Sequence, residues 1–374
     1  MKVSFICGTR PEAIKLAPVI NLFKKQSDFE TEVCFTGQHK EMVEQILPIF
    51  GIEPDVNLEL MTSGQSLSYF TGRALQTLSS YIEEHKPDHI FVQGDTATVF
   101  AGALAGFFNQ KKVHHVEAGL RTNNKFSPFP EEINRVLTGR LADYHFPPTA
   151  VAKQNLLKEG ILEKDMRITG NTGIDALLQV YEKIQKNQIK VNLSMDLQRL
   201  VDKAKGKIIL VTAHRRESFG DGFDNICKAI RTLAEKYRDN YLIYPVHLNP
   251  KVRKPVFEYL SDRENILLCD PLDYLEFIHL MSLSRIILTD SGGIQEEAPS
   301  LNKPLIVMRE TTERPEGVEA GCSKLVGTNV SLIVNSVSEL IDSQEKYEST
   351  ANLENPYGNG KASELILEFF KSKL

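Results

Sequence analysis

The residues able to do chemistry gather in short stretches. Gly8-Thr9-Arg10-Pro11-Glu12-Ala13-Ile14-Lys15 is one. Gly8 permits a tight strand-to-helix turn. Pro11 suits the first helical turn, where its missing N–H costs nothing. Arg10 and Lys15 then sit near the positive end of that helix, and two cations with free backbone N–H groups make an anion site. Val92-Gln93-Gly94-Asp95-Thr96 puts Asp95 at a strand end, as a reactive carboxylate or as a cap of the next helix. Val116-Glu117-Ala118-Gly119-Leu120-Arg121 again places a carboxylate, Glu117, just past an apolar run. Pro128-Phe129-Pro130-Glu131-Glu132 is a proline-rigid loop ending in two carboxylates. Converging carboxylates can be pushed apart in pKa and divide acid and base work.

The later half is cationic where the first is acidic. His214, Arg215 and Arg216 follow the run ending at Thr212. The histidine can act as base, acid or phosphate ligand, and the arginines can neutralise phosphate or form a surface salt-bridge cluster. His247 also lies past a strand-like run, whereas His114-His115 lies inside one, where packing is its role. Leu288-Thr289-Asp290-Ser291-Gly292-Gly293-Ile294-Gln295-Glu296-Glu297 is the strongest stretch. Its glycines let backbone approach a ligand, the following helix presents N–H groups to a phosphate, and a carboxylate one to two turns in can reach ribose hydroxyls. Thr311-Thr312-Glu313-Arg314 supplies a further arginine. The pattern points to a nucleotide diphosphate site. No HExxH, Cys/His quartet, EF-hand spacing or GxSxG elbow occurs, so no metal site or nucleophile elbow is expected.

Positioning these residues needs strands that end beside one another. Apolar runs at Val3–Cys7, Thr31–Phe35, His89–Val92, Lys112–Val116, Tyr144–Phe146 and Arg167–Thr169 form one series. Lys207–Thr212, Tyr241–Tyr244, Asn265–Leu268, Arg285–Thr289 and Pro304–Val307 form another. Such unalternating runs suit strands buried on both faces of a parallel sheet. Stripes such as Ala13, Leu16, Ala17, Ile20 and Phe23 suit the intervening helices. The expectation is α/β: two Rossmann-like, doubly wound parallel-sheet domains, with ligands beyond the carboxyl ends of the strands. The Lys-, Gln- and Asn-rich segment Tyr181–Lys205 reads as a linker, giving domains 1–200 and 201–374. A last helix, Ala362–Lys371, can pack on either.

Composition agrees. The chain has 374 residues, 41% hydrophobic and 25% charged, enough apolar material for two cores. Lys+Arg 44 against Asp+Glu 49 leaves −5, which lacks the basic footprint of a nucleic-acid binder. Five scattered cysteines without a CxxC pair fit reduced thiols and a cytoplasmic setting. No signal peptide and no membrane span is expected.

The runs Gly8–Lys15, Gln93–Thr96, Glu117–Arg121, Ser127–Asn134, His214–Glu217, Asp290–Pro299 and Thr311–Pro315 together, in order, resemble the non-hydrolysing UDP-N-acetylglucosamine 2-epimerases. The resemblance spans residues 1 to about 370. It implies the glycosyltransferase-B arrangement of two domains facing across a cleft, a homodimer, no redox cofactor, and conversion of UDP-GlcNAc to UDP-ManNAc for surface polysaccharide synthesis. By that resemblance, UDP is eliminated to leave 2-acetamidoglucal and then re-adds. Asp95, Glu117, Glu131 and His214 fall on catalytic positions. Arg10 and Lys15 fall near the nucleotide and diphosphate, Ser291, Gly292 and Gly293 on the diphosphate turn, Glu297 on the ribose carboxylate, Arg314 on the second-domain arginine, and Phe277 near uracil. Leu272 departs from the glutamine often seen beside it. Gln38, Gln65, Arg215 and His247 match an activator site for a second UDP-GlcNAc, while Glu41 and Gly64 stand where activated members carry Gln and Arg. The competing reading is a glycosyltransferase of the same architecture, for which Asp95, Glu117 and Glu131 are surplus.

Overall fold

The computed structural model describes residues 1–37, 45–62 and 64–374. Two parallel sheets organise it. In the first, β1 (Lys2–Cys7), β2 (Glu30–Phe35), β3 (Val56–Asn57), β4 (His89–Gln93), β5 (Lys112–Val116) and β6 (Tyr144–Phe146) lie in the order β3-β2-β1-β4-β5-β6. In the second, β7 (Ile208–Thr212), β8 (Tyr241–Pro245), β9 (Ile266–Cys269), β10 (Ser284–Thr289), β11 (Leu305–Val307) and β12 (Ser323–Leu325) lie in the order β12-β11-β10-β7-β8-β9. Read from its own first strand, each sheet has the doubly wound order 3-2-1-4-5-6. The strand order therefore reverses between β1 and β4 in one sheet and between β7 and β10 in the other. Ligands bind at such a reversal, outside the carboxyl ends of the strands.

The strands form where they do because both faces are covered. Every residue of β7 is buried, as is β1 from Val3 onward. The first core is aromatic at its centre. Phe5 stacks on Phe91 at 4.8 Å, Phe91 stacks on His114 at 4.3 Å, and Phe370 meets Phe23 edge-on at 5.1 Å. Each fully buried phenylalanine contributes about 1.5–3 kcal/mol of transfer free energy. The second core is aliphatic, built on Val211, Ile226, Ile230, Leu242, Ile286 and Leu288.

The chain divides into two compact units, Met1–Ala176 with Tyr357–Leu374, and Leu177–Pro356. The boundary expected near residue 200 differs from this division at Ala176 and Leu177. The segment taken as a linker carries the end of the helix Thr172–Gln185 and the helix Met195–Ala204, the latter burying Leu197 and Ala204. The last helix, Ala362–Ser372, belongs to the first unit: it packs on the helix Arg10–Lys24 and places Phe370 in the aromatic core. Asp175 caps its start, accepting from the backbone N–H of Ala362 at 3.2 Å and of Ser363 at 2.8 Å. The run Arg167–Thr169 is not a strand; only a single bridge, His145 to Met166, forms there. Among the described residues no helix is long and apolar enough to cross a membrane.

Candidate active site

In the first unit the strand ends deliver the acidic stretches to one place. β1 runs into Gly8, whose missing Cβ makes room for Thr36 and Thr98. A Cβ there would meet their hydroxyls at 2.2 and 2.5 Å. The helix Arg10–Lys24 then starts with Arg10, and its Lys15 reaches the loop after β5. Lys15 Nζ donates to Glu117 Oε1 at 2.6 Å and Oε2 at 2.7 Å. Gln93, the last residue of β4, donates its side-chain amide to Glu117 Oε2. Glu117 itself has φ 62°, a left-handed conformation that costs a non-glycine residue roughly 1–2 kcal/mol. Backbone strain of this kind clusters at active sites.

Asp95 follows β4. Its Oδ2 pairs with Arg135 Nη2 at 2.6 Å, and Asn134 donates to its carbonyl at 3.0 Å. Burial raises the Asp95 carboxyl above its ordinary value; Arg135 opposes this, nearby Glu131 adds to it, and Lys15 opposes it. So Asp95, Glu131, Lys15 and Glu117 share one electrostatic neighbourhood. Glu131 begins the helix Glu131–Leu141. The neighbouring Glu132 is buried and structural, accepting from the backbone N–H groups of Thr122 and Asn123. Glu12 is also buried, bonded to Gly8 N and Thr9 Oγ1 at 2.7 Å each, and burial pushes it up to about 7 against those hydrogen bonds.

In the second unit, β7 leads to His214 and Arg215 and β10 to Asp290 and Ser291. The His214 ring stacks on His247 at 5.3 Å and 10°. Burial lowers the His214 pKa; Asp290 pulls it back up, and His247 and Arg215 push it down. Ser291, Gly292 and Gly293 open the short helix Gly292–Glu297, on which Glu297 lies half-buried. Arg314 lies so close to Gly292 that a Cβ would meet its guanidinium at 2.7 Å, whereas Gly293 faces open space. Arg314 pairs with Glu296 at 2.9 Å and with Glu313 at 2.8 Å. Phe277, half-buried, lies on the helix Tyr274–Leu283.

Thus Asp95, Glu117, Glu131 and Lys15 come together in one unit, as do His214, Arg215 and His247, and Ser291, Gly292 and Arg314, in the other. Gln65 belongs to the first unit, where it accepts from Thr62 and donates to the sulfur of Met61; Arg215 and His247 belong to the second. Gln38 and Glu41 lie outside the described residues. Sequence reasoning missed Arg135 and Arg309. Arg135 lies one helical turn beyond Glu131, the spacing that puts both on one face. Arg309 follows β11, another strand end, and pairs with Glu217 at 2.6 Å and Glu313 at 2.7 Å. Among the described residues no group of three or more His, Cys, Asp or Glu side chains is placed to hold a metal ion.

The family model described as UDP-N-acetylglucosamine 2-epimerase matches residues 21–371. A UDP-N-acetylglucosamine 2-epimerase of Yersinia pestis is 50% identical over 373 residues, covering 100% of this chain and 99% of the relative. The crystal structure of UDP-GlcNAc 2-epimerase from Neisseria meningitidis bound to UDP-GlcNAc is 47% identical, covers 100% of both chains and has a TM-score of 0.87. That of the Methanocaldococcus jannaschii enzyme in complex with UDP-GlcNAc and UDP is 36% identical over 100% of both chains, with a TM-score of 0.79. Fold, strand-end stations and full-length likeness agree: this chain belongs to the UDP-N-acetylglucosamine 2-epimerase family and is an isomerase.

Proposed function

We propose that this enzyme interconverts UDP-GlcNAc and UDP-ManNAc without hydrolysis, by eliminating UDP to 2-acetamidoglucal and adding it back. The C2 proton of the sugar has no carbonyl beside it, so direct abstraction leaves an unstabilised carbanion. Breaking the anomeric C–O bond first gives C1 oxocarbenium character, which acidifies C2–H. The C–O electron pair leaves with UDP, and the C2–H pair becomes the C1–C2 double bond. Return of a proton to the opposite face and re-addition of UDP give the epimer. The proton that leaves is matched by one that returns, so the reaction is redox-neutral and calls for no redox cofactor.

The residues divide by charge. Arg10 and the Ser291–Gly293 turn with Arg314 and His214 stabilise the diphosphate and its growing charge. Glu297 takes the ribose and Phe277 the uracil. Asp95, Glu117 and Glu131 move the proton. The observation that carries the reading is the carboxylate set itself: Asp95, raised by burial, beside Glu131 and Lys15, with Glu117 fixed by Lys15. A raised carboxyl is the member of such a set that most readily carries a proton. The epimerase of N. meningitidis bound to UDP-GlcNAc supports the substrate, and the M. jannaschii complex supports both substrate and UDP. A homodimer in the cytoplasm, supplying UDP-ManNAc to surface polysaccharide synthesis, completes the proposal.

Proton NMR of UDP-GlcNAc with the enzyme in D2O tests it. Deuterium is expected at C2 together with a UDP-ManNAc signal, with no acceptor added. Label-free substrate and no UDP-ManNAc would overturn the reading. Sugar transfer only when an acceptor is supplied would favour a glycosyltransferase.

A further inference from the structure

Asp290 ends at the carboxyl side of β10, is fully buried, and has no part in the steps above. A buried carboxylate is costly unless its oxygens are satisfied. Oδ2 is satisfied: it accepts from the backbone N–H of His214 at 2.6 Å and of Arg215 at 2.7 Å. Among the described residues Oδ1 has no hydrogen-bond partner. It lies 3.6 Å from His214 Nδ1, just beyond hydrogen-bond range. Immediately before this point β7 and β10 are locked in register, Thr212 opposite Thr289, with their hydroxyls 2.7 Å apart. The carboxylate therefore has a fixed origin, one oxygen committed to the loop that carries His214, and the other directed at its ring.

We propose that Asp290 is a positioning residue for His214: Oδ2 anchors the loop, and Oδ1 selects the imidazole tautomer with hydrogen on Nδ1, leaving Nε2 for the substrate's diphosphate. Which ring nitrogen carries the proton is set by the partner of the other. Among the described residues, three charged or titratable groups act on this imidazole. Asp290 comes from the end of β10, His247 from the segment after β8, and Arg215 from the same loop. Asp290 is the one anion among them, so it opposes the combined effect of burial, His247 and Arg215. The proposal rests on His214 acting in the reaction described above.

Asp290→Asn is the discriminating variant. Its amide oxygen can still accept the two backbone N–H groups, but its NH2 then faces Nδ1 and favours the opposite tautomer. Turnover is expected to fall roughly 10²-fold, with KM for UDP-GlcNAc within about threefold and the kcat–pH profile displaced. Asp290→Glu should recover part of the loss. In a His214→Gln background, Asp290→Asn should add nothing. An undisplaced profile, or losses that multiply across the two sites, overturns the proposal. Nitrogen-15 NMR of histidine-labelled wild-type enzyme, with His214→Gln to assign the signal, gives a second readout independent of variant folding. Hydrogen on Nδ1 of neutral His214 is expected; hydrogen on Nε2 overturns the proposal. If wild-type enzyme fails to epimerise UDP-GlcNAc, the functional reading falls, and the tautomer measurement still decides the role of Asp290.

Discussion

Lys15 grips Glu117 through both carboxylate oxygens, at 2.6 and 2.7 Å. The side chains are only 19% and 8% exposed. Removing one partner of a buried pair strands the other charge. Lys15→Met is expected to cost about 3 kcal/mol of stability and to lower kcat roughly 10²-fold. Urea titration and initial rates measure the two effects. Stability and turnover both unchanged would remove the pair from the mechanism.

The carboxylates make a separable prediction. Asp95→Asn, Glu117→Gln and Glu131→Gln should each lower turnover by roughly 10²-fold or more. Normal turnover in any one of them would exclude that residue from proton transfer. For Asp95→Asn the melting temperature must be followed as well, because this change also weakens the pairing with Arg135.

Glu313 sits among three arginines, 2.7 Å from Arg309, 2.8 Å from Arg314 and 3.8 Å from Arg215. Burial pulls its carboxyl up, but Arg314 and Arg309 outweigh that and hold it below the ordinary range. It is an internal anion on Arg314, the guanidinium that the proposed function places at the diphosphate. Glu313→Gln should therefore tighten UDP binding by about tenfold at low salt, about 1.4 kcal/mol. The gain should shrink as ionic strength rises. Isothermal titration at two salt concentrations checks this. Weaker binding at low salt would make Glu313 a scaffold for the arginines.

Buried histidines give the fold a direction in pH. Burial holds His114 well below its ordinary 6.5, His115 at about 3 and His145 at about 4. The unfolded chain binds these protons first, so stability should fall as pH drops from about 6.5 toward 4. Glu12 acts in the opposite sense. Its folded value of about 7 exceeds the ordinary 4.5, so its contribution is present below 4.5 and lost as pH rises through 7. Glu12→Gln should make the rise in stability between pH 4.5 and 7 steeper. Melting temperatures across this range test it, and a flatter curve in the variant would contradict the assignment.

Asp175 fastens the last helix by two backbone N–H groups. Asp175→Ala leaves both without that partner in a buried place and should cost about 1–3 kcal/mol. Limited proteolysis should then cut the C-terminal segment sooner. Unaltered cleavage would mean that Phe370 and its aromatic neighbours hold the helix unaided.

Apart from Arg167–Thr169, the strand runs were readable because strands buried on both faces leave an unbroken apolar signature. β3 and β12 were not, since edge strands of two and three residues need only one neighbour and little hydrophobicity. The helix Met195–Ala204 hid in a polar composition because only one narrow side of it is covered. Among the candidate site residues, Glu117 immediately follows a strand and Asp95, His214 and Ser291 come two residues after one, so position alone could nominate them. Partners such as Arg135 for Asp95, or the backbone of His214 for Asp290, become visible only when separate strand ends are placed side by side.

The return of residues 357–374 to the first unit bears on how the protein is made. A ribosome releases the whole of Leu177–Pro356 before the segment carrying Phe370 emerges. The middle of the chain can reach its native state while the beginning still lacks a wall of its core, inverting the usual vectorial order. Nascent chains stalled short of Phe370 should hold a protease-resistant central portion and a labile leading one.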